Sequence, residues 1–190
     1  MKKTFNKTIK KLKKLQKKLN NPKTIVLLIL FFLALTYFKR LIFFFVVIVI
    51  SIAAAYFLGM LQPPIDLSPF FFFSIVTSAA MGIKFGLIYY FIGAVIPWLA
   101  LGGRIDASSI IYISMNSFFI ILSTILTLTI GLNIVYLGIL MIVIQTILGL
   151  IIKKSLAVPV PDIIRDITGN IIVNLIYFVY FGNLFFNLLK

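Results

Sequence analysis

From Thr24 to Lys190 the chain carries only twelve charged residues and is otherwise dense in Ile, Leu, Val and Phe. A water-soluble domain of this size must cover itself with polar groups. This sequence, 62% hydrophobic, lacks the residues to do so. The solvent that fits is a bilayer. At about 20 residues per crossing there is room for five or six spans and no sizeable soluble domain. The expected fold is all-α: a polytopic membrane helix bundle of about six transmembrane helices, preceded by an N-terminal basic amphipathic helix.

The net charge of +14 is unevenly placed. Ten of the eighteen basic residues fall in residues 1–23. Over residues 4–20, Phe5, Ile9, Leu12, Leu15 and Leu19 recur at helical spacing and lysines fill most of the rest. Such a helix lies in the headgroup layer, where anionic lipid is its natural partner and nucleic acid is not. The chain therefore divides into a basic cytoplasmic arm (1–23), a short apolar interfacial or half-inserted segment (24–40) and a six-helix transmembrane domain (41–190). Spans are expected at 41–61, 69–82, 87–101, 108–130, 132–152 and 162–188. With the N-terminus cytoplasmic and 25–38 not crossing, Asp66, Asp106, Asp162 and Asp166 all reach the outer side of a cytoplasmic membrane. If 25–38 crosses, the two sides exchange.

Polar residues at membrane depth are costly and carry the clues. Ser109, Tyr112, Asn116, Ser123 and Thr127 fall within roughly 60° of arc on the fourth span. Asp162, Asp166, Asn170, Asn174 and Tyr177 fall within about 120° on the last. The fifth span adds Asn133, Tyr136 and Gln145. Such stripes either hold helices together or face a shared cavity that takes a small polar solute. Arg104 and Asp106 pair with each other or, for Asp106, cap the following helix. Two small-residue faces, Ser51, Ala53, Ala54, Ala55 and Gly59 on one span and Gly82 and Gly86 at the next turn, suit close helix packing or the docking of a partner subunit.

Glu, His and Cys are absent from the protein. Ser-His and thiol catalysis and most metal sites therefore lack their parts, and no Walker A glycine run is present. No enzyme, cofactor or metal is expected, and no catalytic residue is assigned.

The stretch PPIDLSPFFFFSIVTSAAMGIKFGLIYYFIGAVIPWLALGGRIDASS, Pro63 to Ser109, resembles the substrate-binding S-component of energy-coupling-factor (ECF) transporters. The shared features are the loop prolines Pro63 and Pro64, the Gly82 and Gly86 turn, Gly93 on the third span and the small-residue first span. The basic arm and residues 25–38 are additions. The resemblance implies a membrane subunit that binds a vitamin or metabolite from outside and works with a separate energising complex. It also implies a pocket at Asp66, Asn116, Asp162, Arg165, Asp166, Asn170 and Asn174. At this level the chain is also similar to the rod-shape membrane protein MreD, which implies instead a non-transporting scaffold of the cell envelope.

Overall fold

The structure, a computed structural model, describes residues 22–61 and 67–190. The basic helix expected over 4–20 and Asp66 lie outside the described residues. All regular structure among the described residues is helical: α1 (Pro22–Leu61), α2 (Phe70–Met81), α3 (Ile83–Ala100), α4 (Ala107–Ile130), α5 (Ile134–Ser155) and α6. Helix α6 runs as Val160–Ile176, a π segment Tyr177–Phe181 and Gly182–Leu189. The chain divides into two compact units, Met1–Ile42 and Phe43–Lys190. The described part of the first is the N-terminal portion of α1, with Ile25, Leu27, Ile29 and Phe31 exposed. The second holds the bundle.

Helix α1 passes through Lys39 and Arg40 without a break, where the sequence reading separates two segments. The two basic residues interrupt the hydropathy and not the backbone. Lys and Arg are good helix formers whose charged ends reach outward past their own stems.

Among the described residues, five stretches are long and apolar enough to cross a membrane: Phe38–Leu61, Ile83–Ala100, Ala107–Ile130, Ile134–Ser155 and Ile167–Leu189. The chain is a multi-pass helical membrane bundle. Helix α2 is the exception. Its 12 residues reach about 18 Å, short of the roughly 30 Å hydrocarbon core. It is nevertheless the centre of the bundle, because Phe72 to Ser78 are seven consecutive buried residues. Only a helix covered on every side buries a whole turn.

Lipid tails are as apolar as leucine, so close packing and hydrogen bonds hold such helices together. The phenylalanines of α2 supply the packing. Phe71 meets Phe119 of α4, Phe72 meets Phe178 of α6, and Phe73 meets Tyr89 of α3 and Phe185 of α6, with ring centroids 5.0–6.1 Å apart. Helices α2 and α3 approach so closely that a Cβ on Gly86 would lie 2.5 Å from Ser78 Cβ. Hydroxyls supply the polar links. Ser78 and Ser123 join α2 to α4 at 2.5 Å, and Thr124 donates to the Ser78 carbonyl at 2.9 Å. Ser51 and Tyr89 join α1 to α3 at 2.6 Å.

Helix α3 contains a π segment at Phe91–Val95 just before Pro97. Proline has no N–H to give the preceding turn and crowds its carbonyl. The wider turn, in which the Ile96 N–H reaches the Phe91 carbonyl, accommodates it without ending the helix.

Candidate functional site

The loop between α3 and α4 closes one end of the bundle, and local chemistry sets its path. The Gly102 N–H bonds the Leu99 carbonyl and the Gly103 N–H bonds the Trp98 carbonyl, each at 3.0 Å. This is a Schellman ending, with Gly102 at φ 92° in the position that favours glycine. Gly103 then lies on the Trp98 indole, where a Cβ would come within 2.4 Å of the ring. Asp106 starts α4 as its N-cap, as its place before the helix predicts. Its Oδ1 accepts from the Ser109 N–H and the Ser109 and Ser108 hydroxyls, each at 2.7 Å. These donors, the backbone N–H first, hold the carboxyl down at about 2, from an ordinary 3.8.

Beneath this loop lies a cavity of about 660 Å³, a size suited to a small organic molecule. Ala55, Leu58 and Gly59 of α1, Ala94 and Val95 of the π segment in α3, and Ile113 of α4 form apolar wall. Phe70 and Phe71 of α2, Tyr90 and Trp98 of α3 and Tyr112 of α4 add aromatic rings. Four amide side chains complete it: Asn116, Gln145, Asn170 and Asn174. No Lys, Arg, Asp or Glu lines it among the described residues. A side pocket of about 140 Å³ shares Tyr112, Asn116, Gln145 and Asn170 with it and reaches Lys153.

The amides are incompletely used by the protein. Asn116 donates from Nδ2 to the Tyr90 hydroxyl at 3.1 Å. Asn174 donates from Nδ2 to the Asn170 carbonyl at 3.0 Å and also contacts Asn170 Oδ1. The side-chain oxygens of Asn116, Gln145 and Asn174 are buried with no hydrogen-bond partner among the described residues. Thr77 Oγ1, within the α2 core, is the other such atom. A buried polar atom left unpaired costs about 1–3 kcal/mol. The three amide residues that carry such oxygens line one cavity, although the oxygens themselves have almost no accessible surface.

The polar stripe on α4 therefore divides. Ser109, Tyr112 and Asn116 face the cavity, whereas Ser123 links helices and Thr127 bonds back to the Ser123 carbonyl at 2.8 Å. Of the residues proposed from sequence to bind a ligand, Asn116, Asn170 and Asn174 come together at the cavity. Asp162, Arg165 and Asp166 ride on the first turns of α6, and their side chains fall outside the described part of the structure. Of the small residues proposed as a docking face, Ser51 bonds Tyr89, Gly86 of α3 is buried against Ser78 of α2 and Ile120 of α4, and Ala55 and Gly59 line the cavity. Gly82 forms the α2–α3 turn at φ 95°, Ala54 is half-buried and Ala53 is exposed.

The sequence reading does not place Gln145, Tyr90 or Trp98 in the site. Gln145 is the one amide within α5, past its N-cap Asn133, a signal that could have found it. Aromatic residues on apolar helices give no such signal. No protein-family model, curated protein or solved structure matches the chain. Its class rests on the fold and the cavity: a multi-pass helical membrane protein with a solute-sized chamber at one end of its bundle.

Proposed function

We propose that this protein is the solute-binding subunit of a membrane transporter, taking a small vitamin-like or metabolite-like molecule into the chamber beneath the α3–α4 loop. The observation that carries this reading is a chamber of about 660 Å³ at membrane depth, lined by the amide residues Asn116, Gln145, Asn170 and Asn174 together with aromatic rings. A bundle built only to scaffold has no use for four amide residues around one chamber, because an amide is costly to hold at membrane depth. A separate energising complex supplies the work, since the chain has no nucleotide-binding glycine run of its own. In this reading the protein works in the S-component manner, its N-terminus is cytoplasmic, its basic arm rests on anionic lipid, and the chamber opens outward from a cytoplasmic membrane.

The rival reading, an MreD-like scaffold, needs a small-residue face free for a partner. Ser51, Ala55, Gly59 and Gly86 are instead engaged within the bundle or its cavity. The test is native mass spectrometry of the detergent-purified protein, followed by a thermal-shift screen of vitamins and metabolites. Binding predicts a retained small molecule or a concentration-dependent rise in Tm. Protein that carries nothing and responds to nothing would sink the transporter reading.

A further inference from the structure

We infer that the bundle has a second binding site, a groove between α1, α2 and α6 that seats one acyl chain of a membrane phospholipid. It adjoins the chamber only at Leu58, which lines both, and it does not rest on the solute-binding reading.

The groove has a volume of about 390 Å³. Helix α1 contributes Ile50, Ala54 and Phe57, α6 contributes Phe181 and Phe185, and the buried Phe73 of α2 closes the floor. Its rim is open, with Ile50 and Phe181 each 42% exposed and Phe57 68%. Among the described lining side chains the one hydroxyl is that of Tyr177, which donates to the Leu67 carbonyl at 2.9 Å. The depth follows from the spans. Ile50 falls near the middle of Phe38–Leu61 and Phe181 near the middle of Ile167–Leu189. About 16 Å of helix separate Ile50 from the end of α1. The groove therefore reaches into the hydrocarbon core.

Its rim is continuous with the lipid-facing surface, since Val49 of α1 and Val179 of α6 are exposed beside it. Water has no polar partners in so apolar a site, and an empty groove forfeits the dispersion contacts of its walls. A partner helix is too thick. Over the roughly 10 Å from Ile50 to Phe57, a helix about 10 Å across needs about 800 Å³. That is twice the volume present, whereas an acyl chain is slender enough to enter. The chain also has packing to supply. Ser51 and Phe44 tie α1 to Tyr89 and Phe85 of α3. Ile50, Ala54 and Phe57 lie about 60–120° around the helix from Ser51, on a flank where the seated chain becomes the neighbour.

The experiment reconstitutes the full chain in phosphatidylcholine bilayers that include a phosphatidylcholine with a photoreactive group in one acyl chain. Its zwitterionic headgroup removes the pull of the basic residues. After irradiation, the labelled residues are mapped by mass spectrometry. Labelling around Ala54, Phe57, Phe181 and Phe185 should exceed that at Leu128, which is 80% exposed, by at least fivefold. Ala54→Phe places a ring in the groove and should cut the labelling of Phe181 and Phe185 at least fivefold. Ala54→Leu, a smaller filler, should cut it less and serves if Ala54→Phe does not fold. Ala53→Phe, on the exposed neighbouring position outside the groove, should change nothing. Even labelling over the lipid-facing surface, labelling indifferent to both Ala54 variants, or an equal loss with Ala53→Phe overturns the inference.

Discussion

The side-chain amide of Asn116 on α4 donates to the Tyr90 hydroxyl on α3 across 3.1 Å. That bond fixes the amide plane of a residue in the chamber wall. Tyr90→Phe should lower stability by about 0.6 kcal/mol, the usual size of one hydrogen bond between membrane helices. It should also weaken solute binding several-fold, since Asn116 becomes free to rotate. Unfolding in detergent and Trp98 fluorescence titration measure the two effects separately. A loss of stability with unchanged affinity would show that Tyr90 does not orient the site.

Helix packing should be sensitive to a single methyl group where backbones meet. A Cβ on Gly86 would lie 2.5 Å from Ser78 Cβ and 2.8 Å from Ile120 Cγ2. Gly86→Ala is expected to cost about 1–3 kcal/mol as overpacking. Gly149 has nothing within 4 Å of the same atom, so Gly149→Ala should be neutral or stabilising by up to about 1 kcal/mol. Paired melting curves of the two variants decide the point, and equal behaviour would contradict the α2–α3 contact.

The end of α5 repeats the ending of α3 with the wrong residue. The Ala157 N–H bonds the Lys154 carbonyl at 3.2 Å and the Val158 N–H bonds the Lys153 carbonyl at 3.1 Å. Ala157 occupies the left-handed position at φ 54°, which costs an L-residue about 1–2 kcal/mol. Ala157→Gly relieves that strain, partly offset by the freedom glycine gains in the unfolded chain. A net rise in stability of up to about 1 kcal/mol is expected. A lower melting temperature would argue against this geometry.

Asp106 links stability to pH. Its folded value, about 2, lies below the ordinary 3.8. The unfolded chain therefore takes up the proton first as pH falls. The stabilisation is complete above the ordinary value and disappears as pH drops from there through about 2. Asp106→Asn should remove this component of the acid sensitivity, read as a smaller loss of Tm between neutral pH and that acid window than in the parent protein.

Helix boundaries were legible wherever local chemistry sets them. The spans expected at 69–82 and 108–130 are found at Phe70–Met81 and Ala107–Ile130. Gly82, Asp106 and Gly131 mark those ends through backbone conformation or capping, which depend on near neighbours alone. Asn116, Asn170 and Asn174, which line the chamber, stood out for a different reason: an amide in a membrane span is expensive enough to require an explanation. Trp98 and Tyr90 were not, because whether an aromatic ring faces lipid, core or chamber depends on how distant helices pack. The π turns were hidden as well. Pro97 announces a disturbance in α3 but does not say whether the helix ends, kinks or widens.

The shortness of α2 has a volumetric consequence. A helix that stops roughly 12 Å short of the hydrocarbon thickness leaves a missing cylinder of about 900 Å³ in a bundle built around it. The chamber of about 660 Å³ lies at the N-terminal end of α2, lined there by Ser68, Phe70 and Phe71. It occupies the space that about two further turns of the central helix would have filled. A solute seated there would complete the bundle's middle column, so the candidate binding site coincides with the gap that the short α2 leaves.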